Sequence, residues 1–561
     1  SRGLGDVYKR QHITLPYGFS YQLNIINNFT DNRDYRHNLF ENPQNAATNG
    51  FAYRQNVNTY SWNIENLIKW NKVFGDHSFD VTFLANAEKY QYFKDRMENR
   101  YFDPSDILGF HNMGGGTTPV ISSNDQSNTR DALMGRLNYV LKNKYFLTAS
   151  VRRDGYSAFG RANPHAVFPS IALAWRISDE SFFQVNNLDY LKLRASWGAN
   201  GNSAVDAYAA LAAMSGGKLL YADANGNAYT ASTLGISKLA NEKLKWEKTT
   251  AYNGGLDFGL FNNRLNGSIE GYFSKTTDLL VDRALPSITG LKSVSANLGQ
   301  VNNYGFEITL NSVNIDLPRT LTWRTTVNMS LNKNKIKHLY GSVDENGKEL
   351  DDRDNGWFIG QSIDAIWDYR PDGVWQEEDK ELAARYGYLP GEYRMVDVNE
   401  DGVYSAIDDK QFLGYSKPQY RWSMTNDFLL FNNISFSFSM YGQHGWKKNY
   451  IEKFGNERES DYVISHWTPE NRSMKWSRMS NRDADPKAQS NYINMSFVRL
   501  SDISLGYIFP KKITDCLHLK GLKVFGNVQN VGVWSQWPGW DPENTGGPTP
   551  RYFNFGVNVK L

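Results

Sequence analysis

Trp323-Arg-Thr-Thr-Val-Asn-Met-Ser-Leu331 alternates without a break. Trp323, Thr325, Val327, Met329 and Leu331 fall on one side, and Arg324, Thr326, Asn328 and Ser330 on the other, because successive side chains of a strand point to opposite faces. The same pattern recurs on either side of it. In Leu265–Phe273 one face carries Leu265, Gly267, Ile269, Gly271 and Phe273, and the other Asn266, Ser268, Glu270 and Tyr272. From Ile434 to Met440, Ile, Phe, Phe and Met interleave with serines, and the chain closes on Phe553, Phe555, Val557, Val559 and Leu561 against Asn554, Gly556, Asn558 and Lys560. About sixteen such segments of about ten residues each run from Tyr17 to Leu561. An amphipathic strand suits a sandwich, with core and solvent on its two faces. It equally suits a barrel, with lipid and a wet lumen.

The links between the segments decide. They alternate short (Asn71 to Asp76), long (Lys94 to Asn128), short (Asn143), medium (Asp154 to Ala166), short (Ser178 to Leu188) and long (Asn200 to Trp246). They continue short (Phe261 to Asn263), long (Leu279 to Gln300), short (Ile315 to Arg319), very long (Lys335 to Pro418), short (Phe431 to Asn433), long (His444 to Asn491), short (Pro510 to His518) and long (Gly532 to Arg551). A soluble sandwich has no reason to gather its long loops at one end. An outer-membrane barrel does, with tight turns in the periplasm and long loops outside. Segments of about 9 to 11 residues are the length that crosses the hydrocarbon when tilted, against about 5 to 6 in an ordinary soluble strand. The asparagines of Phe261-Asn-Asn263 and Phe431-Asn-Asn433 tolerate the positive φ of tight turns. The chain stops inside a strand, as a barrel closed by its last strand does, with Leu561 where such strands usually end in an aromatic residue.

Composition agrees. Mean hydropathy is −0.57, and no run of apolar residues is long enough for a transmembrane helix. Barrel strands are apolar on one face only, so they average as soluble ones do. The 16 Trp, 33 Tyr and 31 Phe fit aromatic girdles or, alternatively, a sugar-binding β-protein. Lys plus Arg (61) nearly equals Asp plus Glu (59), which argues against a nucleic-acid partner. Cys516 is the only cysteine, so no intrachain disulfide and no cysteine-rich zinc site forms. No signal peptide is present, which is expected of a mature or truncated chain. Residues 1–11 do not alternate. Their Gly-Leu-Gly-Asp-Val-Tyr-Lys-Arg-Gln is similar to translated adapter sequence at the ends of metagenomic reading frames. They are set aside as a non-native leader, the alternative being a natural periplasmic turn, and residues 12–561 are taken as the barrel.

Several segments carry a resemblance. They are Ser150-Val-Arg-Arg-Asp-Gly-Tyr-Ser-Ala-Phe-Gly160, Phe168-Pro-Ser170, Ala174-Trp-Arg-Ile-Ser178, Leu191-Lys-Leu-Arg-Ala-Ser-Trp-Gly198 and Leu244-Lys-Trp-Glu-Lys-Thr-Thr250. Further along come Asn297-Leu-Gly-Gln-Val-Asn-Asn-Tyr-Gly-Phe-Glu307, Asp397-Val-Asn-Glu-Asp-Gly402 with Asp408-Asp409, Gly539-Trp-Asp-Pro-Glu543 and Arg551-Tyr-Phe-Asn-Phe-Gly556. In that order they resemble the SusC-like (SusC/RagA) TonB-dependent transporters of Bacteroidetes outer membranes. The resemblance implies an all-β, transmembrane, antiparallel up-and-down barrel of about 22 strands, the transporter size whose lumen is plugged. It also implies a plug and a TonB-contacting segment, for which no matching sequence is found. The chain is therefore expected to be the C-terminal part of a longer transporter, with an autonomous porin of about sixteen strands as the alternative. The implied partners are a SusD-like surface lipoprotein, TonB-ExbB-ExbD acting through the missing N-terminal region, outer-membrane lipid, and an oligosaccharide or peptide substrate.

Two sets of residues are candidates for a site. Asp397, Asn399 and Asp401, with Gly402 and then Asp408, match positions 1, 3, 5, 6 and 12 of an EF-hand loop (residues 397–408) inside the long outer loop 335–418. The readings are a structural Ca²⁺ or a metal-free network of Asx turns. No other cofactor is required. Trp357, Trp367 and Trp375 lie in the same loop, and Trp534, Trp537 and Trp540 in the last one. They read as sugar platforms or partner anchors, or as girdle and loop-core packing. The glycine-rich His111-Asn-Met-Gly-Gly-Gly-Thr-Thr118 lacks the Gly-Lys-Ser/Thr of a phosphate loop, and no HExxH or nucleophile elbow occurs. Nothing argues for an enzyme. The expectation is active nutrient import, most simply of oligosaccharides, across an outer membrane with Tyr17 and Leu561 on the periplasmic side. The competing readings are a passive porin and a soluble glycan-binding all-β protein.

Overall fold

The computed structural model describes residues 2–39, 41, 50–102, 107–222, 225–285, 287–291, 293–450, 465–478 and 492–561. The chain divides into two compact units. The first comprises Ser1–Trp175, Ser196–Ala251 and Thr276–Leu298; the second comprises Arg176–Ala195, Tyr252–Lys275 and Gly299–Leu561.

In the first unit, β1 (Arg2–Thr14), β2 (Phe19–Asn38), β3 (Phe51–Phe74), β4 (His77–Arg100), β5 (Val120–Leu141), β6 (Tyr145–Tyr156) and β7 (His165–Arg176) pair each with the next, all antiparallel. The register separates two faces. Ile68 of β3 lies opposite Phe83 of β4, and Val151, Leu133 and Leu173 share their side of the ladder, all with exposed apolar side chains. The other face is polar. Gln22 and Asn24 are buried there, Asn24 donates to Glu65 (3.0 Å), Arg130 pairs with Glu88 (3.3 Å) and Arg152 with Asp154 (2.8 Å). A sheet that exposes its apolar side and keeps its charges on the other is inside-out for a soluble protein, and right for a wall between lipid and water.

The apolar face ends in a girdle. Trp70 lies 6.1 Å from Phe19, 6.3 Å from Phe74 and 6.1 Å from Phe79, Phe79 meets Tyr139 at 4.9 Å, and Tyr145 stacks on Trp175 at 6.3 Å. All sit at the end closed by the tight turns after Phe74 and Leu141, at the level where aromatic rings meet lipid headgroups. Among the described residues no helix is long and apolar enough to cross a membrane.

Two features differ from the sequence reading. β3 and β4 have 24 residues each, or about 80 Å at about 3.4 Å per residue, far more than a bilayer requires. Alternation signals only the portion with one dry face. Above it both faces are wet, so Arg54, Gln55 and Asn56 follow one another and the period disappears. The second feature is β1, which takes in residues 2–11 of the segment read as a leader and pairs along β2 from Arg2 opposite Asn32 to Thr14 opposite Ser20. Ladder hydrogen bonds use backbone groups, so an extended segment can fill a strand edge whatever its side chains. This strand carries the chain back toward the long-loop end, so the periplasmic expectation attaches to Tyr17 and not to residue 2.

β8 (Leu188–Asn202), β11 (Glu247–Leu260) and β12 (Leu265–Thr277) have residues in each unit. The intervening long links, read as loops, carry hairpins of their own: β9 (Ala213–Ala222) with β10 (Ala228–Lys238), and β13 (Leu280–Ala284) with β14 (Ser293–Asn297).

In the second unit, β15 (Gln300–Leu317), β16 (Leu321–His338), β21 (Tyr420–Leu430), β22 (Ile434–His444), β25 (Phe497–Ile508), β26 (Gly521–Ser535) and β27 (Tyr552–Lys560) pair in that order. Trp323 stacks on Phe428 at 5.5 Å on the apolar face, while Asn527 donates to Asp502 (2.7 Å) on the other. The turn residues Phe261, Asn262 and Asn263 have φ of 58°, 57° and 56°, as the asparagines led one to expect.

Gly305, in the Asn-Tyr-Gly-Phe segment, shows what its motif is for. A Cβ there would lie 2.1 Å from the Leu331 carbonyl oxygen and 2.6 Å from the Tyr272 hydroxyl. The Tyr272 ring lies across the glycine and donates to Asn332 (3.0 Å), covering the bare backbone as an aromatic covers a strand glycine. Gly305→Ala is expected to destabilise the barrel by about 1–3 kcal/mol through overpacking. Urea unfolding monitored by tryptophan fluorescence would check this, and an unchanged midpoint would refute it.

Candidate functional site

Residues 339–419 fold into a small body on the long-loop side of the second unit. Its frame is the antiparallel pair of β17 (Ala365–Tyr369) with β20 (Lys410–Tyr415), the pair β18 (Pro371–Val374) and β19 (Tyr393–Met395), and the α-helix α1 (Lys380–Arg385). Its core is aromatic: Tyr369, Val374, Trp375, Ala383, Tyr388, Tyr393, Met395, Tyr404 and Trp467 are all buried together. Trp467 comes from the next long link and donates its indole N–H to Gln376 (3.0 Å). Part of that link, within His444 to Asn491, lies outside the described residues. Gly391, at φ 89°, lets the chain pass Trp467 where a Cβ would come within 2.3 Å of the ring. Tyr404 donates to the Met395 carbonyl (2.8 Å), and burial pushes its hydroxyl pKa up to about 12.

The Asp-rich turn is tied to this body through Tyr386, whose ring lies 4.7 Å from that of Tyr404. Asp397 Oδ2 accepts from the Tyr386 hydroxyl (2.8 Å) and the Gly402 amide (2.8 Å), while its Oδ1 is buried with no hydrogen-bond partner among the described residues. Burial works against the charged Asp397. The hydrogen bonds from Gly402, Tyr386, Glu400 and Asp401 outweigh it and hold its pKa below the ordinary 3.8. Asn399 donates to Asp401 (2.9 Å), and Asp401 accepts from the Val403 amide (2.9 Å). Asp408, at position 12, accepts from the Ser405 hydroxyl (3.0 Å). The neighbouring Asp409 is the fully buried member, and it pins the Val398 and Ser405 amides at 2.7 Å each. Sequence spacing could not distinguish these two adjacent aspartates; their burial does. Among the described residues no group of three or more His, Cys, Asp or Glu stands close enough to hold a metal as it is.

The tryptophans separate. Trp375 is buried, with Tyr386 at 5.7 Å and the Arg394 guanidinium over its ring at 5.6 Å. Trp367 packs between Phe358 (4.6 Å) and Phe412 (4.7 Å), and Trp357 is half-buried, its backbone bridged to Asp352. Trp537 lies against Tyr450 at 5.3 Å. Trp534 is exposed on β26 opposite Val498, on the apolar face at the long-loop end, a girdle position. Trp540 alone of the six is exposed on a loop, at 43%.

What holds Trp540 in place is a residue that the sequence did not mark. Arg499 of β25, buried in the wall, grips Asp541 with two hydrogen bonds (2.7 and 2.8 Å), donates to Glu543 (2.8 Å) and bonds Asn530. The Tyr441 hydroxyl also donates to Glu543. The Gly539–Glu543 motif is thus the loop half of a buried ion-pair lock. Its one available signal was the arginine in an otherwise apolar Phe-Val-Arg-Leu run. Burial raises the Asp541 pKa less than Arg499 and the Glu543 amide lower it, so the folded value sits below 3.8. A depressed carboxyl contributes stability that is present above its unfolded pKa and is lost as pH falls through the lower, folded one. Protease protection of residues 536–551 is therefore expected to hold from neutral pH down to about 4 and to fail below that; failure near pH 6 would overturn the assignment.

The profile of the TonB dependent receptor-like β-barrel family matches residues 2–531. The chain belongs to that family. It is 30% identical over 545 residues to TonB-dependent receptor P26 of Formosa agariphila, covering 91% of this chain and 54% of that one. It is likewise 30% identical over 554 residues to TonB-dependent receptor SusC of Bacteroides thetaiotaomicron, covering 92% and 52%. The chain thus spans about half the length of the curated relatives it matches. Among solved structures it is similar to the RagAB peptide transporter, at 20% identity and a TM-score of 0.78, covering all of this chain and 62% of that one. The chain is SusC-like, of an outer-membrane barrel family whose relatives are receptors and transporters and not enzymes.

Proposed function

We propose that this chain is the wall and outer-loop region of a receptor that imports large nutrients, oligosaccharides first, across the outer membrane. A SusD-like lipoprotein would cap the long-loop side, and TonB-ExbB-ExbD would supply energy through a plug elsewhere in the protein. On this reading the tight-turn end of each unit would face the periplasm, Tyr17 with the Trp70 girdle in the first and the Lys560 end of β27 in the second. The observation that carries the reading is the packing of the outer loops: an aromatic-cored loop body, and a last loop held by Arg499 that exposes Trp540. Loops built to stay put are suited to docking a partner, since ordering them has already been met in folding. Trp540 would supply a stacking face for a sugar ring or an anchor for the lipoprotein.

The test is co-purification of the full-length receptor with a SusD-like lipoprotein from the same organism, followed by uptake of labelled oligosaccharide in cells with and without TonB. Capture of the lipoprotein and TonB-dependent uptake are expected. Uptake that persists without TonB would favour a porin, and uptake of peptides but not glycans would correct the substrate.

We also propose that the 397–408 loop takes up Ca²⁺. Asp397 Oδ1 lacks a partner among the described residues, Asn399 and Asp401 would turn oxygens toward it from two and four residues on, and Asp408 would have to leave Ser405 to join them. A loop that must rearrange binds weakly, in the range of extracellular modules, with Kd of about 10⁻⁴–10⁻³ M. Calcium is expected to raise the thermal midpoint of the receptor, and Asp397→Asn to remove the rise. No change on adding 10-fold more calcium than about 10⁻³ M would leave the protein hydrogen bonds as the loop's only tie.

A further inference from the structure

The apolar face of the second unit is not uniformly filled. Across β22, β25, β26 and β27 runs a groove of about 860 Å³, lined by Ile503, Leu505, Tyr507, Val524, Phe555 and Val557 among others. Gly526 opens it. The register sets Gly526 between Leu505 and Phe555, and it offers no side chain to fill the gap between them. Asp502 and Asn527 belong to the opposite face, so the groove lies on the lipid side, continuous with the exposed Phe553 and Val559.

The groove leads toward the tight-turn end, and the link there is basic. Residues 509–520 carry Lys511, Lys512 and Lys520 against a single carboxylate, Asp515. All three lysines are exposed, and none enters an ion pair among the described residues. The Lys520 amide donates to the Lys560 carbonyl (2.8 Å), which fixes Lys520 at the end of the β26–β27 ladder that forms the groove. Between the lysines, the helix α2 (Lys511–Cys516) and the residue after it expose Ile513 and Leu517, four apart and so on one face. Tyr507 and Phe509 meet edge to face at 5.0 Å beside them. Apolar groove, aromatic pair and unpaired cations are stacked in the order of acyl chain, interface and headgroup.

We propose that this groove and its lysine rim hold an anionic phospholipid of the leaflet at the tight-turn end, an acyl chain lying along Leu505, Gly526 and Val557 and the phosphate at Lys511, Lys512 and Lys520. The inference rests on the reading that the ladder spans a bilayer. Uncompensated positive charge selects an anionic headgroup, and the position on the lipid face selects a membrane lipid over a soluble anion.

The experiment is native mass spectrometry of the detergent-purified receptor titrated with phosphatidylglycerol or phosphatidylcholine of matched chains. Phosphatidylglycerol is expected to bind at least tenfold more tightly. A lysine near a membrane surface is worth roughly fivefold, so the triple variant Lys511→Gln, Lys512→Gln, Lys520→Gln is expected to abolish the preference. Gly526→Leu, which fills the groove, is expected to weaken both lipids. Equal binding of the two lipids, indifference to the lysine variant, or displacement by inorganic phosphate as effective as by phosphatidylglycerol would each overturn the proposal. Heat-modifiable gel migration and circular dichroism of the same samples separate this failure from the larger one. A receptor that folds in bilayers without lipid preference loses only the lipid site, whereas one that never enters bilayers loses the barrel reading as well.

Discussion

Arg499→Ala is expected to free the last long loop from the wall while leaving the strands paired. The guanidinium is 5% exposed and its principal partner Asp541 4%, so the alanine variant strands a carboxylate where water does not reach it. Removing one member of such a buried pair destabilises by about 3–5 kcal/mol. Asp541 also accepts from the Glu543 amide (2.8 Å), and Glu543 still has Tyr441, so the loss falls on the loop's attachment more than on its internal turn. Proteolysis should therefore cut within residues 536–551 of the variant and spare them in the parent, with heat-modifiable migration unchanged in both. Arg499→Lys is expected to recover little, because an ammonium cannot make the paired bonds to Asp541 and reach Glu543 as well. The double variant Arg499→Met with Asp541→Leu is the sharper control: with no charge left buried, part of the stability should return while the loop stays loose. A loop equally protected in all four proteins would mean that Arg499 does not hold it.

The contrast between Arg499 and Trp323 shows what the sequence makes legible. Trp323–Leu331 announces itself because strand geometry repeats every second residue, and its neighbours obey the same rule; fold and compartment follow from that period and from the order of link lengths. The lock between Arg499 and Asp541 spans two segments that no local rule connects, and only their burial together assigns the Gly539–Glu543 motif a task. The Asp-rich loop lies between these cases. Its Asp-x-Asn-x-Asp-Gly spacing was readable, but that the fold turns the neighbouring Asp409 inward to hold the Val398 and Ser405 amides was not. The hairpins inside the long links escaped for the reason that the upper halves of β3 and β4 did: away from lipid, neither face is constrained to be apolar. The tryptophans were found as a set, yet Trp375 and Trp540 have opposite environments that composition does not separate.

That opposition makes the second large prediction. Trp375 is 2% exposed at the centre of the loop body, and Trp540 is 43% exposed on the last loop. Truncating a buried tryptophan to alanine typically destabilises by about 3–5 kcal/mol, a large share of the roughly 5–15 kcal/mol that holds a whole domain. Trp375→Ala is thus expected to melt the body of residues 339–419 as a unit, since Tyr386, Arg394 and the turn around Asp397 are all assembled on that ring or on its neighbours. Hydrogen exchange should show protection lost across the body and kept in β16 and β21, the strands it springs from. Trp540→Ala, by the measure of exposed sites, should shift stability by no more than about 0.5 kcal/mol. If the outer loops are the docking surface, both variants weaken capture of the lipoprotein, and they do so differently. Trp375→Ala acts through order, so its defect grows with temperature as the body melts. Trp540→Ala acts through contact, so its defect is present while every probe of folding reads as in the parent. A Trp375→Ala receptor that captures the lipoprotein normally, with its loop body demonstrably unfolded, would move the docking surface off residues 339–419 and onto the loop that Arg499 holds.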